Sequence, residues 1–582
     1  MKKKKKRSSF VRLMRYMGRD RKMVAIIILL LTLSTIFDIA APKIVEKITD
    51  SIKLSEGIGF DWDYLTKQLI ILTLLYILCG VCLSISRKAL VKLAENTVFS
   101  LRQRMQKKLE VLSLDYLDTH KRGDILARST SDMVMITNML ETNLSSMFVK
   151  LLTIAGILVM MFVTNIKLSI IFVIMLPLSV VVMKFVTKAT RKLFKGQQQA
   201  LGDLNSHIEE MVTGNDVMRA FNFEEESGEQ LDKINMRFFK TYLSSRTLSG
   251  VIHPIMSLLN NSVYIAVCVF GGMAIINNSL TLGGLTAFLL YANNISGPVN
   301  QFSMMINQVQ AGLAAADRVF DMLDEEPEKP DPENAVQIED SDGVVEFSHV
   351  KFGYSSDQIL MKDVNFKADA GQVFAIVGPS GAGKTTLVNL LMRFYEINDG
   401  AIRLDGMPTS EMTRQSLRKN MGMVLQDTWI FSGTVFENIA YGKPDATMEE
   451  VVEAAKKAQC DDFIRKLPDG YDTVIDAETS ALSTGEKQLL AIARVVIANP
   501  QILILDEATS NIDTRTEVLI TNAMNEMMKG HTSFIIAHRL FTIRNADSII
   551  FMKDGDILEV GKHNELMERG GYYAEMYRSS YS

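Results

Sequence analysis

Gly378-Pro379-Ser380-Gly381-Ala382-Gly383-Lys384-Thr385-Thr386 reads G-x-x-x-x-G-K-[ST] and follows the apolar run Val373-Phe374-Ala375-Ile376-Val377. A buried strand, a glycine-rich turn and a helix start are what a phosphate-binding loop needs. Gly378, Gly381 and Gly383 let backbone N–H groups turn inward around phosphate oxygens, with Ser380 and Thr386 beside them. The helix N-terminus behind the loop adds partial positive charge. Lys384 is placed to reach β- and γ-phosphates, and the Thr385 hydroxyl to ligate Mg²⁺.

A single G-x-x-x-x-G-K-T can arise by chance in a long chain, so its surroundings matter. Short β-branched strands alternate with helical patterns on both sides of it, as in an α/β domain. Ile502-Leu503-Ile504-Leu505-Asp506-Glu507 is an apolar strand ending in two acids. There Asp506 is expected to hold Mg²⁺, and Glu507 to orient and activate an attacking water. Ser533-Phe534-Ile535-Ile536-Ala537-His538 is a second strand ending in a polar residue, and His538 is a candidate to meet the γ-phosphate.

The N-terminal half has a different character. The chain has 582 residues and is 47% hydrophobic, with a mean hydropathy of +0.12, so more than one domain is expected. Six apolar segments, near 24–45, 68–86, 145–164, 168–187, 251–276 and 282–304, approach the roughly 20 residues needed to cross a bilayer. The sixth is interrupted by Asn293, Asn294, Asn300 and Gln301. Connections after the second and fourth segments are long and basic, carrying Arg87, Lys88, Lys92, Arg102 and Arg104, then Lys184, Lys188, Arg191 and Lys192. Those after the first, third and fifth are short or acidic. This bias predicts both chain ends in the cytoplasm. The basic start, Lys2 through Arg7, precedes an apolar run too long for a signal peptide and without a small-residue cleavage site, so a retained first span is expected.

The long connections show helical periodicity. Segment 87–144 is predicted to form two antiparallel helices of about 40 Å each at 1.5 Å per residue. Turn-rich tips fall at Asp115–Asp124 and near Gly214–Phe221. Inside the spans, Asp38, Asn260, Asn261, Asn293, Asn294 and Gln301 are candidates either for interhelical hydrogen bonds or for a substrate-lining role. Cys79, Cys82, Cys268 and Cys460 are too scattered for a metal site or disulfide framework. The net charge of −4 gives no reason to expect nucleic acid.

Taken together, the motifs resemble those of ABC transporters of the exporter type, over nearly the whole chain. Leu482-Ser483-Thr484-Gly485-Glu486-Lys487-Gln488 sits where the family signature Leu-Ser-Gly-Gly-Gln belongs. Gln426 matches the glutamine loop, which touches Mg²⁺ and the membrane domain. Tyr354 matches the aromatic residue that stacks on adenine. Ser510-Asn511-Ile512-Asp513 matches the D-loop, and the two tips resemble coupling helices.

The resemblance implies an α-helical transmembrane domain of six spans with long cytoplasmic extensions, followed by an α/β P-loop ABC ATPase domain. The expected limits are residues 1–22 for a basic cytoplasmic N-terminus, 23–320 for the membrane domain, 321–343 for an acidic linker and 344–582 for the nucleotide-binding domain. It also implies head-to-tail pairing, in which Ser483 and Gly485 complete an ATP site on a second half-transporter. Glu507, His538 and Gln426 are the expected catalytic residues.

Two departures stand out. Thr484 replaces a glycine and Glu486 a glutamine, while Asp476-Ala477-Glu478-Thr479-Ser480 replaces the usual Gly-Glu-x-Gly. An altered signature beside an intact Glu507 resembles one subunit of heterodimeric bacterial multidrug exporters, so a heterodimer is expected over a homodimer. The expected activity is ATP-driven export of amphipathic or hydrophobic small molecules across the cytoplasmic membrane. Membrane lipid surrounds such a chain. Alternatives are a lipid or peptide exporter or flippase, or an ATP-gated membrane regulator without transport.

Overall fold

The computed structural model describes residues 8–52, 62–355, 358–425, 428–476, 482–506, 513–537 and 540–581. The chain forms two compact units, residues 1–109 with 123–324, and residues 110–122 with 325–582.

The first unit is helical. Its elements are α1 (Ser9–Met17), α2 (Arg21–Asp50), α3 (Trp62–Leu109), then, past the loop helix α4 (Leu114–Thr119) of the second unit, α5 (Arg122–Ser129), α6 (Ser131–Asn138), α7 (Leu144–Thr164), α8 (Ile166–Thr213), α9 (Asn215–Ala220), α10 (Glu224–Gly250), α11 (Ile252–Ile276) and α12 (Leu282–Asp324). Each of the six apolar segments lies within, or all but within, one long helix. Among the described residues, three helical stretches are long and apolar enough to cross a membrane: Arg21–Asp50, Trp62–Leu109 and Arg122–Thr164.

Local chemistry explains where the helices stop. Asn165, in extended conformation, ends α7, and its side chain accepts the Leu168 N–H to start α8. Asn278 takes φ 54° in the turn between α11 and α12, a conformation that asparagine tolerates better than most residues. The Asp50 carboxylate accepts the Thr281 hydroxyl and the Gly283 N–H, both at 2.8 Å, so the last residue of α2 caps the first turn of α12.

The unit packs around Ile157, Met161, Phe172, Val267, Phe288 and Tyr291. Its outer faces carry large apolar side chains, with Leu29 65% and Ile276 81% exposed. An apolar exterior of this extent belongs against lipid. At its other end α1 clamps α12. Arg12 pairs with Asp324 through two hydrogen bonds, at 2.5 and 2.8 Å, and lies 4.0 Å from the Phe320 ring centroid. Buried Asp132 of α6 accepts two hydrogen bonds from Arg318 of α12.

The second unit is α/β. Its strands are β1 (Val345–Phe352), β2 (Met361–Ala368), β3 (Val373–Val377), β4 (Asp399–Leu404), β5 (Met407–Pro408), β6 (Met421–Val424), β7 (Gly433–Thr434), β8 (Val474–Ile475), β9 (Ile502–Asp506), β10 (Thr532–Ile536), β11 (Ser548–Lys553) and β12 (Asp556–Gly561). The main sheet has the order β12-β11-β3-β10-β9-β6. Pairing is parallel from β11 through β6. Alternate residues of a strand face opposite sides, and two cores result. Phe374, Ile376, Ile502, Ile504, Phe534 and Ile536 face one. Ala375, Val377, Leu503, Leu505, Ile535 and Ala537 face the other.

The segment expected as an acidic linker makes ordered contacts. Residues 321–324 continue α12. Beyond them Asp331 pairs with Arg414 at 2.6 Å and Glu328 with Arg418 at 3.1 Å. The Val336 N–H donates to Glu411 O. The acids of this run are partners of arginines on the second unit. The two turn-rich tips, expected from the resemblance as coupling helices, carry short helices, α4 and α9. Each has an acid in its first turn, where it complements the helix dipole.

Candidate functional site

β3 ends at Val377 and runs into the glycine loop, and helix α13 (Lys384–Leu391) leaves it. Gly378 takes φ 152°, and a Cβ there would lie 2.1 Å from Met552 O. Gly383, the residue before α13, takes φ 98°. Gly378 has no room for a side chain and the positive φ of Gly383 disfavours one, so the turn stays tight. Nothing stands within 4 Å of a Cβ on Gly381, which leaves the rim open. Ser380 and Thr385 are exposed there.

Lys384 is 8% exposed, and its Nζ donates to Gly378 O at 2.7 Å and Pro379 O at 3.1 Å. Burial pulls its pKa below the ordinary lysine range, and the Asp506 carboxylate opposes that pull. The ammonium is held inside the loop by its carbonyls, with an acid within electrostatic reach. This donor set fits a polyphosphate: an inward cation, a helix start and a backbone cradle.

The sheet aligns the rest. Ile376 of β3 pairs with Ile536 of β10, which pairs with Asp506 of β9. Asp506 therefore stands two strands from the loop, about 10 Å at roughly 4.8 Å per strand. Thr385 and Asp506 are oxygen donors suited to Mg²⁺. Gln426, Glu507 and His538, read as catalytic from the sequence, lie outside the described residues. Val424, Asp506 and Ile536 end the strands immediately before those segments.

Tyr354 is half exposed, and its hydroxyl shares a 2.9 Å hydrogen bond with Thr386 Oγ1. Its ring stands edge-on to Phe352 and Tyr395. Asp513 caps the helix Thr514–Met528 by accepting the Thr516 N–H at 2.9 Å, and that hydrogen bond holds its carboxyl below the usual range. Tyr395 was not singled out from the sequence. Its hydroxyl donates to Asp118 of α4, within the same unit. A tyrosine shortly after a phosphate-loop helix carries no spacing rule of its own, and the contact depends on a residue 277 positions away.

Ser483 and Gly485 are placed apart from the loop. Ser483 caps the helix Thr484–Ala498, whose Leu489 and Leu490 pack into the core on one sheet face. Leu387 and Val388 of α13 pack into the core on the other. The fold thus sets the two helices on opposite faces of one sheet. Glu486 completes a capping box. One carboxylate oxygen accepts the Ser483 N–H at 2.8 Å and the Ser483 hydroxyl at 2.9 Å, while the Glu486 N–H donates back to Ser483 Oγ at 3.3 Å. The residue that departs from the signature occupies its serine.

Residues 24–299 match the family model described as the ABC transporter transmembrane region, and residues 361–510 match the ABC transporter model. The chain is 41% identical, over 90% of its length and 83% of the relative's, to the fatty acid ABC transporter ATP-binding/permease protein of Mycobacterium tuberculosis (strain CDC 1551 / Oshkosh).

The chain belongs to the ABC transporter family.

This ABC transporter is also 34% identical, over 83% of its length and 84% of the relative's, to the putative multidrug export ATP-binding/permease protein YgaD of Bacillus subtilis (strain 168). It superposes with a TM-score of 0.74 at 28% identity on a structure described as a bacterial Atm1-family ABC exporter with ATP bound, covering 97% of this chain and 98% of that one. It is an ABC exporter of the half-transporter type, with its membrane and ATPase parts fused. It is membrane-embedded, binds ATP and couples ATP hydrolysis to transport, and exporters of this type work as dimers.

Proposed function

We propose that this ABC transporter exports amphipathic small molecules across the cytoplasmic membrane. One observation carries the cargo class. A cavity of about 420 Å³ lies between α11 and α12, lined by Val263, Leu289 and Leu290 together with Asn261, Tyr264, Thr286 and Asn293. A lining shared between apolar side chains and neutral polar groups suits a molecule with a greasy body and a hydrogen-bonding end. The names of two relatives, one for fatty acids and one for multidrug export, point to cargo of that kind. The fatty-acid relative also favours a second reading, a lipid exporter.

The membrane domain is taken as residues 23–320 with six spans and both chain ends cytoplasmic, the basic N-terminus as 1–22, the linker as 321–343 and the ATPase domain as 344–582. Tyr354 stacks on the base. Gly378, Ser380, Gly381, Gly383, Lys384 and Thr386 hold the phosphates, and Asp513 borders the site. Thr385, Gln426 and Asp506 hold Mg²⁺, which supplies charge neutralisation on the phosphates when bound. Glu507 accepts a proton from the attacking water, and His538 steadies the γ-phosphate.

The opposite-face placement of α13 and the helix Thr484–Ala498 supports a composite site. One chain presents the phosphate loop, and a second presents the signature. The capping box favours a different half-transporter as that second chain. Glu486 places a carboxylate against the Ser483 hydroxyl, where a phosphate has to approach. ATP binding closes the paired ATPase domains and turns the spans outward, and hydrolysis resets them.

The test is ATP-dependent accumulation of a fluorescent amphipath in inside-out proteoliposomes containing the chain and its co-purified partner. Accumulation lost with Glu507→Gln supports the reading. Robust hydrolysis without movement of any amphipath or lipid probe refutes it.

A further inference from the structure

The apolar segments contain few charged side chains. Among those whose side chains are described, they are Asp38, Lys43 and Lys150. Lys43 is paired with Glu46 at 2.5 Å, one turn along α2. Asp38 of α2 is exposed within the chain, and Lys150 of α7 is partly buried. Among the described residues, neither makes a hydrogen bond or ion pair. Ionisable residues inside a membrane are costly and mark function unless they are paired.

Packing sets the two charges at neighbouring depths. Val149, beside Lys150, packs against the cluster of Ile27, Leu31, Leu90 and Leu93, two turns before Asp38 on α2. Higher on α7, a Cβ on Gly156 would lie 2.4 Å from Ile39, the residue after Asp38. Lys150 therefore lies between about one and two turns below the level of Asp38, within reach of a long flexible side chain. On α3, Cys79 donates to Ser34 O at 3.4 Å, one turn below Asp38, so α2, α3 and α7 converge there. The Lys150 ammonium lies within electrostatic reach of the Asp38 carboxyl.

We propose that Asp38 and Lys150 form a divided charge pair that receives the head group of a zwitterionic amphipath, its cationic part on Asp38 and its acidic part on Lys150. The proposal rests on reading the chain as an exporter whose spans line the cargo path. Charge balance selects the class. A purely anionic head would satisfy Lys150 and be repelled by Asp38. A purely cationic head would meet the reverse. A zwitterion neutralises both.

The test uses the full chain in nanodiscs and equilibrium binding of three probes with one tail: N-dodecyl-N,N-dimethylglycine, dodecanoate and dodecyltrimethylammonium. The wild-type chain is expected to bind the betaine at least about 10-fold more tightly than the other two, corresponding to about 1.4 kcal/mol. Lys150→Met should lose that preference and favour dodecyltrimethylammonium, and Asp38→Asn should favour dodecanoate. Retained ATP binding confirms that each variant is folded. Equal binding of all three probes by the wild type, or selectivity unchanged in both variants, overturns the pair. The crossover supports the pair even where no probe is transported, a result that would count against export alone. Transport without the crossover sinks the pair and leaves export standing.

Discussion

The Tyr395 hydroxyl donates a hydrogen bond to Asp118, and the same ring stands edge-on to Tyr354 with 5.1 Å between centroids. One side chain thus touches both the candidate base-stacking residue and the loop helix α4. Burial first, then the hydrogen bond to Asp118, pushes the Tyr395 phenol above its ordinary range. A raised folded-state value means that the neutral donor persists across the neutral range, and its contribution fades only as pH rises beyond the usual phenol range. Tyr395→Phe should cost about 1 kcal/mol of stability in a double-mutant cycle with Asp118→Asn. It should also weaken stimulation of ATPase activity by transported probes more than basal hydrolysis. A coupling energy near zero on thermal denaturation would refute the link.

Lys384→Ala removes the buried ammonium of the phosphate loop. Charge-assisted hydrogen bonds are worth about 1.5–3 kcal/mol, so ATP affinity should fall roughly 10- to 150-fold. Equilibrium binding of a fluorescent ATP analogue reads this directly, and unchanged affinity would remove Lys384 from the site.

Glu507→Gln should leave ATP binding near normal and slow hydrolysis about 100-fold or more, the scale of a general base. Chelating Mg²⁺ should abolish turnover in the parent protein. Phosphate release at saturating ATP is the measurement, and wild-type turnover in the variant would reassign the base.

Glu486→Gln should remove a carboxylate from the start of the helix Thr484–Ala498 while its side-chain carbonyl keeps the cap on Ser483. For this chain purified alone, ATPase activity should rise several-fold, because each step of about 1.4 kcal/mol is a factor of ten. No rise would show that Thr484, rather than Glu486, limits the signature.

Arg318→Met strands the buried Asp132 carboxylate. Arg318 is half exposed, so the loss should be about 1–3 kcal/mol, below that of a fully buried pair. Asp132→Asn in the same background should restore part of it. Thermal unfolding of the single and double variants decides the matter.

The phosphate loop, the strand before Asp506 and the six apolar runs were legible because each rests on local pattern: glycine spacing, an unbroken apolar run, helical length. The ion pairs of the acidic stretch after α12 were not legible because its partners, Arg414 and Arg418, lie about 85 residues away, and no local period announces them. The tip at Asp115 reads as a helix only through the family resemblance, because its helix spans only six residues and shows no period of its own. Tyr395 stayed invisible for the same reason as those ion pairs: its meaning comes from a distant acid. Glu486 stands out in the sequence as the replacement of a glutamine, whereas its capping geometry appears only once the helix start is fixed by Ser483.

The sheet that separates α13 from the helix Thr484–Ala498 also acts as a safeguard. No movement within one chain brings those two helices to the same nucleotide without breaking parallel strand pairs. On the composite-site reading, a newly inserted chain can hold ATP but cannot run an idle cycle while it waits in the bilayer. Turnover then reports assembly, and the cell needs no separate inhibitor to keep orphan subunits quiet.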